Sequence, residues 1–131
     1  MAEIFSAEWL AGFQEKWNAD PELGGELEQI GFSSVISYGY DDKETPEAVI
    51  VVNHGKIVAA GPYNGEEINW DLRASPEQWD AWLNKPPGLM AIGLAYTSRK
   101  LRFKVGDYAA MVKDPRMAGP FVRSFALMGQ V

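Results

Sequence analysis

Gly88-Leu-Met-Ala-Ile-Gly-Leu-Ala-Tyr96 is an uncharged apolar run, and a short basic pattern follows it, Lys100-Leu-Arg-Phe-Lys-Val105. The first stretch reads as a helix with no charge on any side. The second reads as a strand, with Leu101, Phe103 and Val105 inward and Arg102 and Lys104 outward. Gly106 breaks the strand, and Asp107 caps a new helix that starts at Tyr108. A helix apolar all round is buried or is covered by a ligand. Helix, strand and helix of this kind make a wall for an apolar cavity. They make a poor catalytic centre, because the polar groups that perform chemistry are missing. The alternating cations also suit a sheet edge, where charge discourages pairing with another chain.

Outward from this segment, Ser75-Pro-Glu-Gln78 is a strong helix start. Serine stands at the N-cap, proline at the first helical position and glutamine three residues after the cap. Trp79, Trp82 and Leu83 give that helix its apolar face, and Pro86-Pro87 ends it. Before it lie extended segments at Phe32–Tyr40, Ala48–Val52, Ile57–Ala60 and Ile68–Ala74. Asn53-His-Gly-Lys56 turns the chain between two of them. Strands this close in sequence are most simply antiparallel neighbours. At the start, Phe5, Trp9, Phe13 and Trp17 recur every four residues beside Leu10, one apolar helix stripe facing a core. Asp20-Pro21 restarts a helix, with Leu23, Leu27 and Ile30 buried and Gly31 at its end. After Asp114-Pro115, a last helix carries Met117, Phe121, Val122, Phe125 and Met128 near one face. The order predicts an α+β domain spanning 1–131, with a mostly antiparallel sheet of about five strands packed against helices.

The bulk numbers bound the function. The chain has 131 residues, 47% hydrophobic and 12% aromatic, with no cysteine. That excludes disulfides, thiolate catalysis and cysteine-based zinc sites, and it fits a reducing, cytoplasmic setting. The N-terminus lacks the pattern of a secretory signal, no apolar run is long enough to span a bilayer, and Met128-Gly-Gln-Val131 is not a peroxisomal address. The net charge of −6 argues against nucleic acid as a partner. It is unevenly spread: residues 1–85 carry 5 Lys/Arg and 16 Asp/Glu, whereas residues 86–131 carry 7 and 2. The basic third is also the apolar third. It reads either as ordinary surface lysines or as a basic rim suited to amphiphiles with an anionic head and to anionic lipid surfaces.

The run from Asp71 to Met111 resembles the sterol carrier protein 2 family of lipid-binding domains. Asn69-Trp-Asp-Leu72 leads into the capped helix at Ser75-Pro-Glu-Gln78, and an apolar helix comes next. Arg99-Lys-Leu-Arg-Phe-Lys-Val-Gly-Asp107 then leads into Tyr108-Ala-Ala-Met111. Arg99 stands where the family usually has glycine. The resemblance implies about five strands flanked by helices, with an apolar tunnel for a fatty acyl chain, sterol or similar lipid. It carries over as lining the apolar positions Leu89, Met90, Ile92, Leu94, Leu101, Phe103 and Met111. Each is equally readable as core packing.

Catalytic motifs are missing. His54, the one histidine, sits in a turn, and no metal-ligand spacing occurs. Asp41-Asp42 and Glu66-Glu67 are adjacent carboxylates, and neighbours on strands or turns point apart. Gly61-Pro-Tyr-Asn-Gly65 is turn punctuation, and Ser33 and Ser34 lack the glycines of a nucleophile elbow. The expectation is a non-enzymatic protein, without cofactor or metal, that binds and transfers a fatty acid, acyl-CoA or sterol. Lys100, Arg102 and Lys104 would attract an anionic head. Two alternatives stand beside it: an accessory subunit that binds a catabolic enzyme, and a small cavity enzyme acting on an apolar ketone or steroid. Tyr38, Tyr40 and Tyr96 are the polar groups available to the latter.

Overall fold

The aromatic stripe fixes the first element. In a computed structural model that describes residues 3–131, Trp9, Leu10, Phe13 and Trp17 are buried along helix α1 (Ala7–Ala19). The Ser6 hydroxyl accepts the Trp9 N–H and caps it. Asp20 caps the next turn through the Glu22 N–H. The paired glycines widen that turn, Pro21–Gly25, to π geometry before helix α2 (Glu26–Gln29). Gly31, at φ +62°, ends it as expected.

Five strands follow the predicted segments: β1 (Ser34–Tyr40), β2 (Ala48–Asn53), β3 (Lys56–Pro62), β4 (Trp70–Ala74) and β5 (Arg102–Val105). They form one sheet in the order β3-β2-β1-β4-β5. His54 and Gly55, both at positive φ, make the two-residue hairpin turn between β2 and β3. A Cβ on Gly55 would stand 2.2 Å from the Glu28 backbone nitrogen, so only glycine fits there. Helix α1 protects the edge strand β3. Asn18 accepts the Ile57 N–H at 2.8 Å and donates to the Ile57 carbonyl at 2.9 Å.

The expectation that successive strands are antiparallel neighbours holds for β1–β2 and β2–β3 and fails for β4. That strand crosses back and pairs in parallel with β1, from Ile36 opposite Trp70 to Tyr40 opposite Ala74. Burial explains the choice. Asp71, Leu72, Arg73 and Ala74 are 4%, 3%, 1% and 0% exposed, and a strand covered on both faces belongs inside a sheet. The sheet is therefore mixed, with three antiparallel ladders and one parallel.

A buried ion pair lets β4 carry charge in that position. Arg73 donates to both oxygens of Asp71, at 2.7 and 3.0 Å. Its remaining N–H groups reach the carbonyls of Tyr40 (3.0 Å) and Lys43 (2.9 Å). The pair lies on the face away from Leu72 and ties the β1–β2 connection down over it.

Helices α3 (Pro76–Asn84), α4 (Leu89–Thr97), α5 (Tyr108–Lys113) and α6 (Pro115–Met128) complete the fold. Ser75, Asp107 and Asp114 cap α3, α5 and α6 as the sequence predicts. On α3, Trp79 donates its indole N–H to the Gly39 carbonyl at 2.9 Å, and Trp79 and Trp82 both pack on Phe125 of α6.

Removing one partner of a buried pair leaves the other charge unpaired, at a cost of about 3–5 kcal/mol. Urea unfolding of Arg73→Ala should show a loss of that size. The double variant Asp71→Leu/Arg73→Met should recover most of it. A loss below about 1 kcal/mol in Arg73→Ala would contradict the role given to the pair.

Candidate functional site: an apolar cavity under the C-terminal helices

Between the sheet and the last helices lies a cavity with about 50 Å³ of open space. Ile36 and Tyr38 of β1, Trp70 and Leu72 of β4 and Phe103 of β5 form its floor. Leu23 and Leu27 close one side. Met111 of α5 and Met117, Pro120, Phe121 and Ser124 of α6 form its roof. Alternation along β1 and β4 sends every second side chain into this space, and a helical spacing does the same along α6.

Three polar groups on the wall are occupied. Trp17 donates its indole N–H to the Gly55 carbonyl at 2.8 Å, and Trp70 donates to the Ser34 hydroxyl at 3.1 Å. The Ser124 hydroxyl donates to the Phe121 carbonyl. Burial holds the Tyr38 phenol well above its ordinary pKa of 10.0, so it stays protonated. Among the described residues no group of three His, Asp or Glu side chains could hold a metal ion.

The open space is well below the roughly 300–1,000 Å³ of small-molecule pockets. Its roof is built to yield. Pro120 lies within α6 and removes a backbone donor there, directly after Gly119. Met111 and Met117 are unbranched and adapt to varied shapes. Arg123 of α6 holds this roof to the side wall: it donates to Asp20 at 2.6 Å and lies 3.5 Å from the Glu22 carboxylate.

The structure distributes the predicted lining residues over three environments. Phe103 and Met111 line the cavity. Ile92 and Leu101 are buried in the core beside it. Leu89, Met90 and Leu94 lie on the outer face of α4, 49%, 82% and 67% exposed. The expectation that this helix is buried all round is therefore corrected. Its inner face rests on Ile92 and Ala95, with Tyr96 stacked on Tyr108, and the outer face has no cover among the described residues. Val105, expected inward, is 40% exposed. Leu72 opposes Phe103 and Asp71 opposes Val105, so Lys104 is an extra residue that turns the end of β5 outward. Strand β5 is a sheet edge, as its charges suggest.

The α6 lining lay outside the segment that carries the family resemblance. Its signal was legible all the same, since Met117, Phe121 and Ser124 recur at helical spacing. In the sequence the Asp71–Arg73 pair lies within a segment that reads simply as extended. His54 is exposed in its turn, and its ring Nδ1 lies 2.6 Å from the Asn53 amide oxygen.

The raised Tyr38 pKa fixes a pH dependence. Below pH 10 both folded and unfolded chains hold the proton. Above it the unfolded chain releases a proton that the folded chain keeps, so stability falls as pH rises. The slope from this one group approaches about 1.4 kcal/mol per pH unit. Urea midpoints between about pH 9 and 11 should decline less steeply in Tyr38→Phe than in the wild type. Identical slopes would place Tyr38 in contact with water.

No family model matches the chain, and no curated protein sequence matches it significantly. Solved structures do. A crystal structure of sterol carrier protein 2 superposes with a TM-score of 0.78 at 18% identity, covering 98% of this chain and 99% of that one. A conserved hypothetical protein of Thermus thermophilus, suggested to be a sterol carrier protein, gives 0.62 at 21% identity, with 96% and 90% covered. The UbiJ-SCP2 ubiquinone synthesis protein gives 0.59 at 12% identity, with 99% and 98% covered. This chain has the fold of sterol carrier protein 2.

Proposed function

We propose that this protein is a non-enzymatic carrier that holds a lipid-like molecule, with its apolar chain under α5 and α6. The observation that carries this reading is the cavity wall. It is apolar, its Trp17, Trp70 and Ser124 donors are turned to partners within the protein, burial keeps the Tyr38 phenol protonated, and no acid–base pair faces it among the described residues. What such a wall chiefly offers a ligand is removal of apolar area from water, at roughly 25 cal/mol per Å².

A narrow space under a yielding roof fits one flexible acyl chain better than a rigid sterol. A fatty acid or acyl-CoA is the ligand class we assign. Phe103, Met111, Met117 and Phe121 would touch the chain, with Ile92 and Leu101 packed behind them. Arg99, Arg102 and Lys104 share an open groove with Tyr96 and Phe103 beside the cavity, where they would attract an anionic head. The likeness to a ubiquinone synthesis protein favours a second reading, in which the domain serves a partner enzyme.

Native mass spectrometry of the purified protein, with lipid extraction of the denatured sample, tests the carrier reading. The expected result is an excess mass that is released as a fatty acid or acyl-CoA. Met117→Asp, at a half-buried roof position, should weaken acyl-chain binding at least about tenfold, equivalent to about 1.4 kcal/mol. Lys43→Ala, on the exposed β1–β2 connection, should leave it unchanged. A ligand-free mass that also ignores added fatty acids, acyl-CoA and sterols would reject the carrier and favour the partner enzyme.

A further inference from the structure

Helix α4 exposes apolar surface that the cavity does not use. Met90 and Leu94 stand one turn apart on its outer face, and Leu89 beside them is half exposed. Contiguous apolar side chains on an outer helix mark an interaction surface. Cations crowd next to them. From Lys85 to Gly106 the chain carries five Lys/Arg and no Asp/Glu, within a protein of net charge −6. Among the described residues none of these five makes an ion pair. Lys104 donates to the Lys43 carbonyl, at 3.2 Å. Arg99, Arg102 and Lys104 line one groove with Tyr96 and Thr97, so the charge lies against the last turn of α4.

We propose that α4 and the basic edge around β5 form a docking surface for an anionic lipid bilayer. A bilayer presents anionic phosphates above hydrocarbon, and this surface presents both complements side by side. Met90 and Leu94 would enter the acyl boundary while the flanking Lys and Arg stay with the headgroups. At nine residues, α4 is about 13 Å long, too short to cross and suited to lie in the interface. A second copy on this face would bring like charges together. Helix α1 is no rival surface, because its exposed side carries Glu8 and Glu15. The acidic N-terminal part of the chain would be repelled, which orients the molecule on the surface. Phe103 borders both the groove and the cavity, so docking would set the cavity beside the bilayer. That last consequence alone rests on the carrier reading.

Vesicle flotation of the delipidated protein tests the surface independently of any cavity ligand. Phosphatidylcholine vesicles with about 30 mol% phosphatidylserine should bind it, and pure phosphatidylcholine should not. Binding should fall steeply towards about 0.5 M salt. Met90→Glu/Leu94→Glu should lower it at least about tenfold, and so should Lys100→Glu/Arg102→Glu. All four positions are exposed, and an unchanged circular dichroism spectrum would confirm that the variants fold. Failure to bind the anionic vesicles, or equal binding by wild type and both variants, would overturn the proposal. A wild-type dimer that Met90→Glu/Leu94→Glu makes monomeric would overturn it in favour of a second copy.

Discussion

The parallel ladder between β1 and β4 sets the geometry of everything that follows it. Had β4 continued the hairpin series, it would have lain beyond β3, under α1. By crossing back to β1 it takes an interior position and carries the rest of the chain to the opposite edge of the sheet. Strand β5 then has one free side, and α4 to α6 gather over that half. The interior position demands cover on both faces of β4. Leu72 and Ala74 meet the helices, and Asp71 and Arg73 satisfy each other on the other face while holding the β1–β2 connection over them. A buried pair is weak as a source of stability against apolar residues of similar volume. Its effect here is to fix which loop lies on β4.

The same ladder leaves a gap under the roof. The helices over β1, β4 and β5 meet the sheet through rings and methionines, and small open space remains between them. Burying each methylene of a guest chain contributes about 0.8 kcal/mol. Some eight methylenes would thus contribute roughly 6 kcal/mol, set against parting the roof from the floor. Met117 and Phe121 ride on a helix that Pro120 deprives of one backbone donor, which weakens the ladder beside them. The Arg123–Asp20 contact marks where the roof is held shut. Arg123 is about a third exposed and Asp20 9%, so solvent reaches the contact from the Arg123 side and screens it there.

Local chemistry made much of this legible in the sequence. Ser6, Ser75, Asp107 and Asp114 cap where their side chains predict, and the four-residue aromatic spacing faces the core. These signals act within a few residues and depend on nothing distant. The crossover of β4 was not legible, because the alternation of Asp71 and Arg73 with Leu72 reads as one wet face. Only their mutual pairing makes that face dry, and pairing is a tertiary event. Helix α4 misled in the reverse sense. Its composition demanded cover, and the fold covers one side only. Of the seven lining residues inferred from resemblance, Phe103 and Met111 reach the cavity, because these two sit on the half of the sheet and the helix that face each other. The roof of α6 showed its helical stripe, which a core helix would show equally.

Methionine placement gives the most direct test of the account. Of the chain's five methionines, Met111 and Met117 line the cavity, Met90 is exposed on α4, and Met128 is buried in the core. A protein labelled with ¹³C at the methionine methyls would be titrated with oleate in the absence of vesicles. The account predicts shifts of the Met111 and Met117 signals, with Met90 and Met128 nearly still. Shifts confined to Met90, or no shift at saturating oleate, would contradict a chain held under α5 and α6.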